Sequence, residues 1–231
     1  FDNFTMTEYI CNIALGFIMF YGGFNTKWKT ARPVAVKAVL LSTCGVILTA
    51  AFTMLFCYFV LRFPIAESFL VGAVLSATDA ASVFAILRRK KLNLKDGVAS
   101  LLEIESGSND PIAYMLTVIG INILNGDNLI KVPYVIFAQI VYGVLIGIGL
   151  AVAAIYVLTR TDIIVNGLDT IFILAVVLLG LGLSQLVGGN EFLCIYLFGI
   201  LLGNSRIRNK GNIVPFFDGV TTLAQIVIFF M

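Results

Sequence analysis

The chain has 231 residues, of which 60% are hydrophobic and only 12% charged, and its formal net charge is +2. A water-soluble domain needs about a quarter of its residues charged to coat its surface, so this composition excludes a soluble globular protein and makes lipid the solvent. The basic residues sit in short clusters between apolar runs, and nothing in the small positive balance points to a nucleic-acid partner.

A bilayer core needs about 20 mostly apolar residues per helix. On that ruler eight segments are expected, at 4–24, 34–61, 65–87, 97–124, 132–159, 168–187, 191–204 and 214–231. Long continuous apolar runs are the pattern of an all-α polytopic membrane protein; a β-barrel would show alternating stretches of about ten residues. The chain starts at Phe1 and stops at Met231 inside an apolar run, so a longer parent chain, incomplete here at both ends, is expected. Basic residues cluster at Lys27, Lys29, Arg32 and Lys37, at Arg88, Arg89, Lys90, Lys91 and Lys95, and at Arg206, Arg208 and Lys210. These fall in the first, third and seventh connections, which the positive-inside tendency assigns to the cytoplasm.

Cys11, Cys44, Cys57 and Cys194 lie in apolar stretches without CxxC spacing and read as buried packing thiols. There is no histidine, so proton chemistry falls to carboxylates, lysine or tyrosine. An ionisable side chain within a spanning helix is costly to bury and is a functional candidate by default. Asp79 in the third segment and Glu103, Glu105 and Asp110 in the fourth lie deep. Glu8, Asp169, Glu191 and Asp218 fall near segment ends and read as interface or capping groups.

Asp79 precedes Leu87 by eight residues, and Glu105 follows Gly97 by the same number. At 1.5 Å per residue both are about 12 Å from the inner boundary and Asp110 is about 20 Å in, the depth at which secondary transporters hold ions. In the run from Glu105 to Pro111, Ser106 and Asp110 are four apart and share a helix face, as do Glu105 and Asn109. Pro111 lacks the N–H that would return to the Gly107 carbonyl, which frees that oxygen, and Gly107 permits close helix approach. The run from Ser76 to Ser82 is rich in small residues and is expected to unwind around Thr78. Hydroxyls, carbonyls and one carboxylate form a hard-oxygen shell suited to alkali cations.

The stretches GAVLSATDAASVF (72–84), LEIESGSNDP (102–111) and FLCIYLFGILLGN (192–204), with Phe217, Asp218, Gly219 and Leu223, Ala224, Gln225, closely resemble the bacterial cation:proton antiporters of the NhaP type, within the sodium/hydrogen exchanger superfamily. The resemblance spans essentially the whole chain. It implies a single transmembrane transporter domain over 1–231, carrying about eight helices of a roughly thirteen-helix fold with inverted repeats and broken helices. It implies a multi-pass protein of the cell inner membrane, dimeric when full-length, which exchanges Na+ or K+ for protons and needs no cofactor. By the same resemblance Asp110 binds cation and proton in turn, Thr78 and Ser106 help ligate the metal ion, and Asp79 supports the crossing of broken helices. Glu105 pairs with an arginine beyond Met231. Tyr21 stands where relatives often carry an acid, which leaves the choice between sodium and potassium open.

The expected mechanism is competition for one charge. Burial disfavours a bare carboxylate, so Asp110 holds either a proton or a cation. Asn109 adds no second charge, so one-for-one electroneutral exchange by alternating access follows. The alternatives are a cation channel, which would conduct current, and an intramembrane aspartyl protease, whose usual Tyr-Asp and Gly-x-Gly-Asp signatures are replaced here by Thr78-Asp79 and Asn109-Asp110.

Overall fold

The computed structural model describes residues 4–78, 97–126, 129–160, 168–207 and 210–230. Among these the chain forms eight α-helices. They are α1 (Phe4–Asn25), α2 (Trp28–Phe59), α3 (Ile65–Val74), α4 (Val98–Leu124), α5 (Val132–Arg160), α6 (Asp169–Leu186), α7 (Glu191–Gly203) and α8 (Lys210–Phe230). Each expected segment contains one helix. Five of them, α1, α2, α5, α6 and α8, are long and apolar enough to cross a membrane, while α3 and α7 are shorter apolar helices. Large apolar side chains such as Leu40, Leu48, Phe52, Phe59 and Phe229 stay exposed, as suits a chain whose outer solvent is hydrocarbon.

Two helices begin earlier than the apolar ruler places them. Trp28 opens α2 six residues before the expected start, so Lys29, Arg32 and Lys37 are helical rather than in a connection. Lys210 opens α8, with Pro215 inside the helix. Polar first turns are invisible to a hydropathy count. Segment three is helical only to Val74 among the described residues. Residues 79–96, with the basic cluster Arg88, Arg89, Lys90, Lys91 and Lys95, lie outside the described residues.

The chain divides into two compact units, residues 1–27 with 140–231, and residues 28–139. In the first unit, Phe20 stacks against Phe24, Phe198 and Phe217 at centroid separations of 5.5, 5.4 and 4.7 Å. Around this aromatic centre Ile173, Val177, Ile195, Leu202 and Ile213 are fully buried. Glycines let α1 and α7 touch backbone to backbone: a Cβ on Gly199 would stand 2.5 Å from the Phe20 carbonyl oxygen, and Gly23 faces the Tyr196 carbonyl just as closely. Between membrane helices no water is released on association, so close backbone packing of this kind supplies the attraction. The far end of the pair is pinned by the Asn204 amide, whose Nδ2 donates to the Thr26 carbonyl at 2.8 Å.

The second unit is built on small residues. Ala31, Ala35 and Ala38 of α2 form an i, i+4, i+7 stripe that packs on Leu101 and Ile104 of α4. Gly72 of α3 sits against the Ala50 carbonyl of α2 with no room for a side chain. Gly97 opens α4 at φ 73°, in the left-handed region that glycine enters without cost.

Gly199→Ala is expected to destabilise the full-length protein by about 1–3 kcal/mol through overpacking, while Gly211→Ala, whose new Cβ meets nothing within 4 Å, is expected to change little. Thermal unfolding in detergent separates the two; equal midpoints would show that the α1–α7 contact is looser than this geometry.

Candidate functional site

Within the second unit, α3 stops at Val74, and Leu75 and Ser76 turn the chain out of the helix. The Ser76 hydroxyl donates back to the Ala73 carbonyl at 2.6 Å, closing the helix end that its i+4 donors no longer reach. Ala77 and Thr78 follow in irregular backbone. The helix thus ends just ahead of Thr78, where the small-residue run predicted unwinding.

Facing this end is the middle of α4, which buries Ile104, Ser106, Gly107, Asn109 and Pro111. Asn109 is 1% exposed and joins the two elements: its Nδ2 donates to the Thr78 hydroxyl, a short bond across 31 residues of sequence. The same Nδ2 makes a long contact of 3.5 Å to Glu105 Oε1, one turn earlier on α4. Ser106 Oγ reaches Glu105 Oε2 at 3.3 Å. Glu105, Ser106, Asn109 and Thr78 therefore form one connected polar group. Asp110 and Glu103 are partly buried on the same helix. Pro111 continues α4 without an N–H for the Gly107 carbonyl.

One atom of the group is left over. Asn109 Oδ1 is buried and accepts no hydrogen bond among the described residues. A buried amide oxygen without a donor is costly, by about 1–3 kcal/mol, and it is an acceptor of the kind that ligates alkali cations. The donor set of amide oxygen, hydroxyls, carboxylate and a proline-freed carbonyl is hard and monodentate, and it suits Na+ or K+ better than a transition metal. Among the described residues no cluster of three or more His, Cys, Asp or Glu offers a transition-metal centre.

The structure brings Thr78, Glu105, Ser106 and Asn109 together, with Asp110 on the next position of the helix. Asp79 lies outside the described residues. Tyr21 belongs to the first unit, where it is buried in α1 and its hydroxyl donates to Asp218 Oδ1 at 2.8 Å. Asp218, which the segment boundaries placed near an end, lies eight residues into α8 because that helix begins at Lys210. The recurrence of polar residues at 218, 221 and 225 on one helical face was the available signal. Glu191 is likewise no capping group: it is buried, and Asn190 caps α7 by accepting from the Leu193 N–H at 2.9 Å.

The family model for the transmembrane sodium/hydrogen exchanger matches residues 1–231. The chain belongs to this family. It is 34% identical over 233 residues to the K(+)/H(+) antiporter NhaP2 of Shewanella sp. (strain ANA-3), covering 99% of this chain and 40% of that protein. The K(+)/H(+) antiporter NhaP of Alkalimonas amylolytica is also 34% identical, over 100% of this chain and 40% of its own length. The chain therefore spans about two fifths of these relatives. In fold it resembles the sodium proton antiporter MjNhaP1 of Methanocaldococcus jannaschii at pH 8, with a TM-score of 0.79 at 23% identity over 96% of this chain and 56% of that one. As a member of this family the chain is a multi-pass membrane protein, and its helical fold is that of the antiporter structure it resembles.

Thr78→Val removes the acceptor of the inter-element bond. In a double-mutant cycle with Asn109→Ala, measured by thermal unfolding of the full-length protein, a coupling of about 1 kcal/mol is expected. Additive effects would mean that the bond contributes nothing to holding α3 against α4.

Proposed function

We propose that the full-length protein exchanges a monovalent cation, Na+ or K+, for H+ across the cell inner membrane, electroneutrally, with Asp110 carrying the exchanged charge. The observation that supports this reading most directly is the buried Asn109: its amide nitrogen ties α4 to the unwound end of α3, and its oxygen has no donor among the described residues. A backbone that leaves the helix at membrane depth is tolerated where it lines a cavity. The K(+)/H(+) antiporters at 34% identity support the same substrates.

The residues divide the work. Asp110 binds the proton and the cation in alternation, because a cation favours the ionised carboxylate and burial favours the protonated one. Thr78, Ser106 and the freed Gly107 carbonyl, exposed by Pro111, supply neutral oxygens to the metal ion. Asn109 fixes the crossing and contributes its own oxygen, while Asp79 supports the neighbouring broken helix. Glu105 orients the Asn109 and Ser106 side chains and pairs with a cation of the remaining chain. Tyr21 stands where relatives often carry an acid, and that replacement bears on the choice between Na+ and K+. Residues 1–231 act as part of one transporter domain, in a homodimer, without a cofactor. Alternating access moves the site between the two membrane faces.

Asn109 is neutral, so each turnover moves one positive charge each way. Asp110→Asn in the full-length protein is expected to reduce pH-gradient-driven cation flux in proteoliposomes at least 100-fold; flux within a few-fold of the wild type would refute the assignment. Asn109→Asp adds a second ionisable group, and exchange that ignores an imposed membrane potential in the wild type is expected to respond to it in this variant. A wild-type protein that conducts cation current would favour a channel instead.

A further inference from the structure

In the first unit the opening turn of α7 lies against α1, α5 and α6. A Cβ on Gly143 of α5 would stand 2.8 Å from the Asn190 carbonyl oxygen, and one on Gly147 would stand 2.6 Å from that of Cys194. Cys194 itself, one turn beyond Glu191, is fully buried beside Ser184 of α6. On the other side Gly199 meets Phe20 and Gly203 meets Phe24, a parallel register that sets Glu191 level with Asn12, one turn from Glu8. The basic clusters that follow α1 and α7 assign those ends to the cytoplasm, so Glu8 and Glu191 share the opposite end.

Enclosed in this way, Glu191 is 3% exposed, and its Oε1 has no hydrogen-bond partner among the described residues. The helices that wall it supply no basic side chain. α1, α6 and α7 contain neither lysine nor arginine, and α5 has only Arg160, about 25 Å along the helix from Gly143. The titratable groups around it are Glu8 of α1, whose like charge acts on it, Cys194 on its own helix, and Tyr142 of α5, whose Cβ lies beside Gly189. From α6 comes the uncharged Ser184. A helix N-terminus favours an anion modestly, whereas a buried carboxylate without a partner is far more costly, so the neutral form wins. One proton neutralises it without the shell of several oxygens that a metal ion needs.

We infer that Glu191 is a proton-binding site of the first unit, occupied while the opening turn of α7 stays packed and emptied when water enters between α1 and α7. The proton comes from water and returns to it, and the charge of Glu8 strengthens its hold. Packing at this end is thereby tied to pH: ionisation of Glu191 sets two like charges across the α1–α7 seam, inside an apolar wall, and the seam loosens. The proton site takes nothing from the antiport reading and stands without it.

The test uses purified full-length protein in detergent with choline chloride as the salt. Infrared spectra at neutral pH are expected to show a protonated-carboxyl band that Glu191→Gln removes. Glu8→Gln is expected to lower the pH at which that band is lost by about 0.5. Thermal unfolding reads the same proton. The unfolded chain releases it near the ordinary glutamate value of about 4.3 while the folded protein keeps it, so wild-type stability falls as pH rises above that value. Glu191→Gln, neutral throughout, is expected to match the wild type near about pH 4 and to unfold at least about 2 °C higher near about pH 8. A spectrum unchanged by Glu191→Gln, or the same pH dependence of unfolding in both proteins, overturns the proposal. So does a midpoint that NaCl or KCl raises above choline in the wild type but not in Glu191→Gln, which makes the ligand a metal ion. Should Glu191→Gln not fold, Glu8→Gln decides, and the absence of any carboxyl band that moves with it overturns the proposal.

Discussion

Hydrocarbon offers no hydrogen bonds, so a backbone that leaves the helix inside a membrane must be held by protein groups. Here that duty falls on one amide. Asn109 reaches from the middle of α4 to the hydroxyl of Thr78, just beyond the point where α3 stops. Remove the amide and the irregular segment loses its anchor, and the oxygens around Glu105 and Ser106 lose the frame that keeps them together. Among the described residues the same side chain's oxygen has no donor. Structure and chemistry therefore meet in a single residue, with one end spent on packing and the other kept for a ligand.

Most of the architecture was legible because the bilayer imposes a length. Every apolar run of the sequence carries a helix, and the Ser76–Thr78 stretch leaves the helix where its small residues suggested. What hydropathy did not mark were the polar ends. Trp28, Lys29 and Arg32 wind into α2, and Lys210 into α8, because a helix continues past the hydrocarbon boundary wherever its backbone bonds can close. That shift moved Asp218 from an apparent edge to the interior of a helix. The Tyr21–Asp218 bond spans 197 residues of sequence, a separation across which no local pattern operates.

The group around Asn109 was readable for a different reason. Glu105, Ser106, Asn109 and Asp110 are close in sequence and helical spacing fixes their faces, so only the partner on α3 had to be supplied by folding. The depth count set Asp79 level with Glu105, and Thr78 entered only as the expected point of unwinding and through the family resemblance, so its bond to Asn109 came from the structure. Burial of Glu191 escaped the same reasoning: position near a helix start says nothing about what packs on it, and Asn190 had already taken the capping role.

The contact between α1 and α7 has a mechanical meaning. At Gly23 and Gly199 main chain rests directly on main chain, while Phe20 and Phe198 interlock beside that contact. Neither helix can slide past the other without driving Cα hydrogens into carbonyl oxygens, so the two travel as a single girder. Shear along the girder would also have to break the Asn204–Thr26 bond that pins its end.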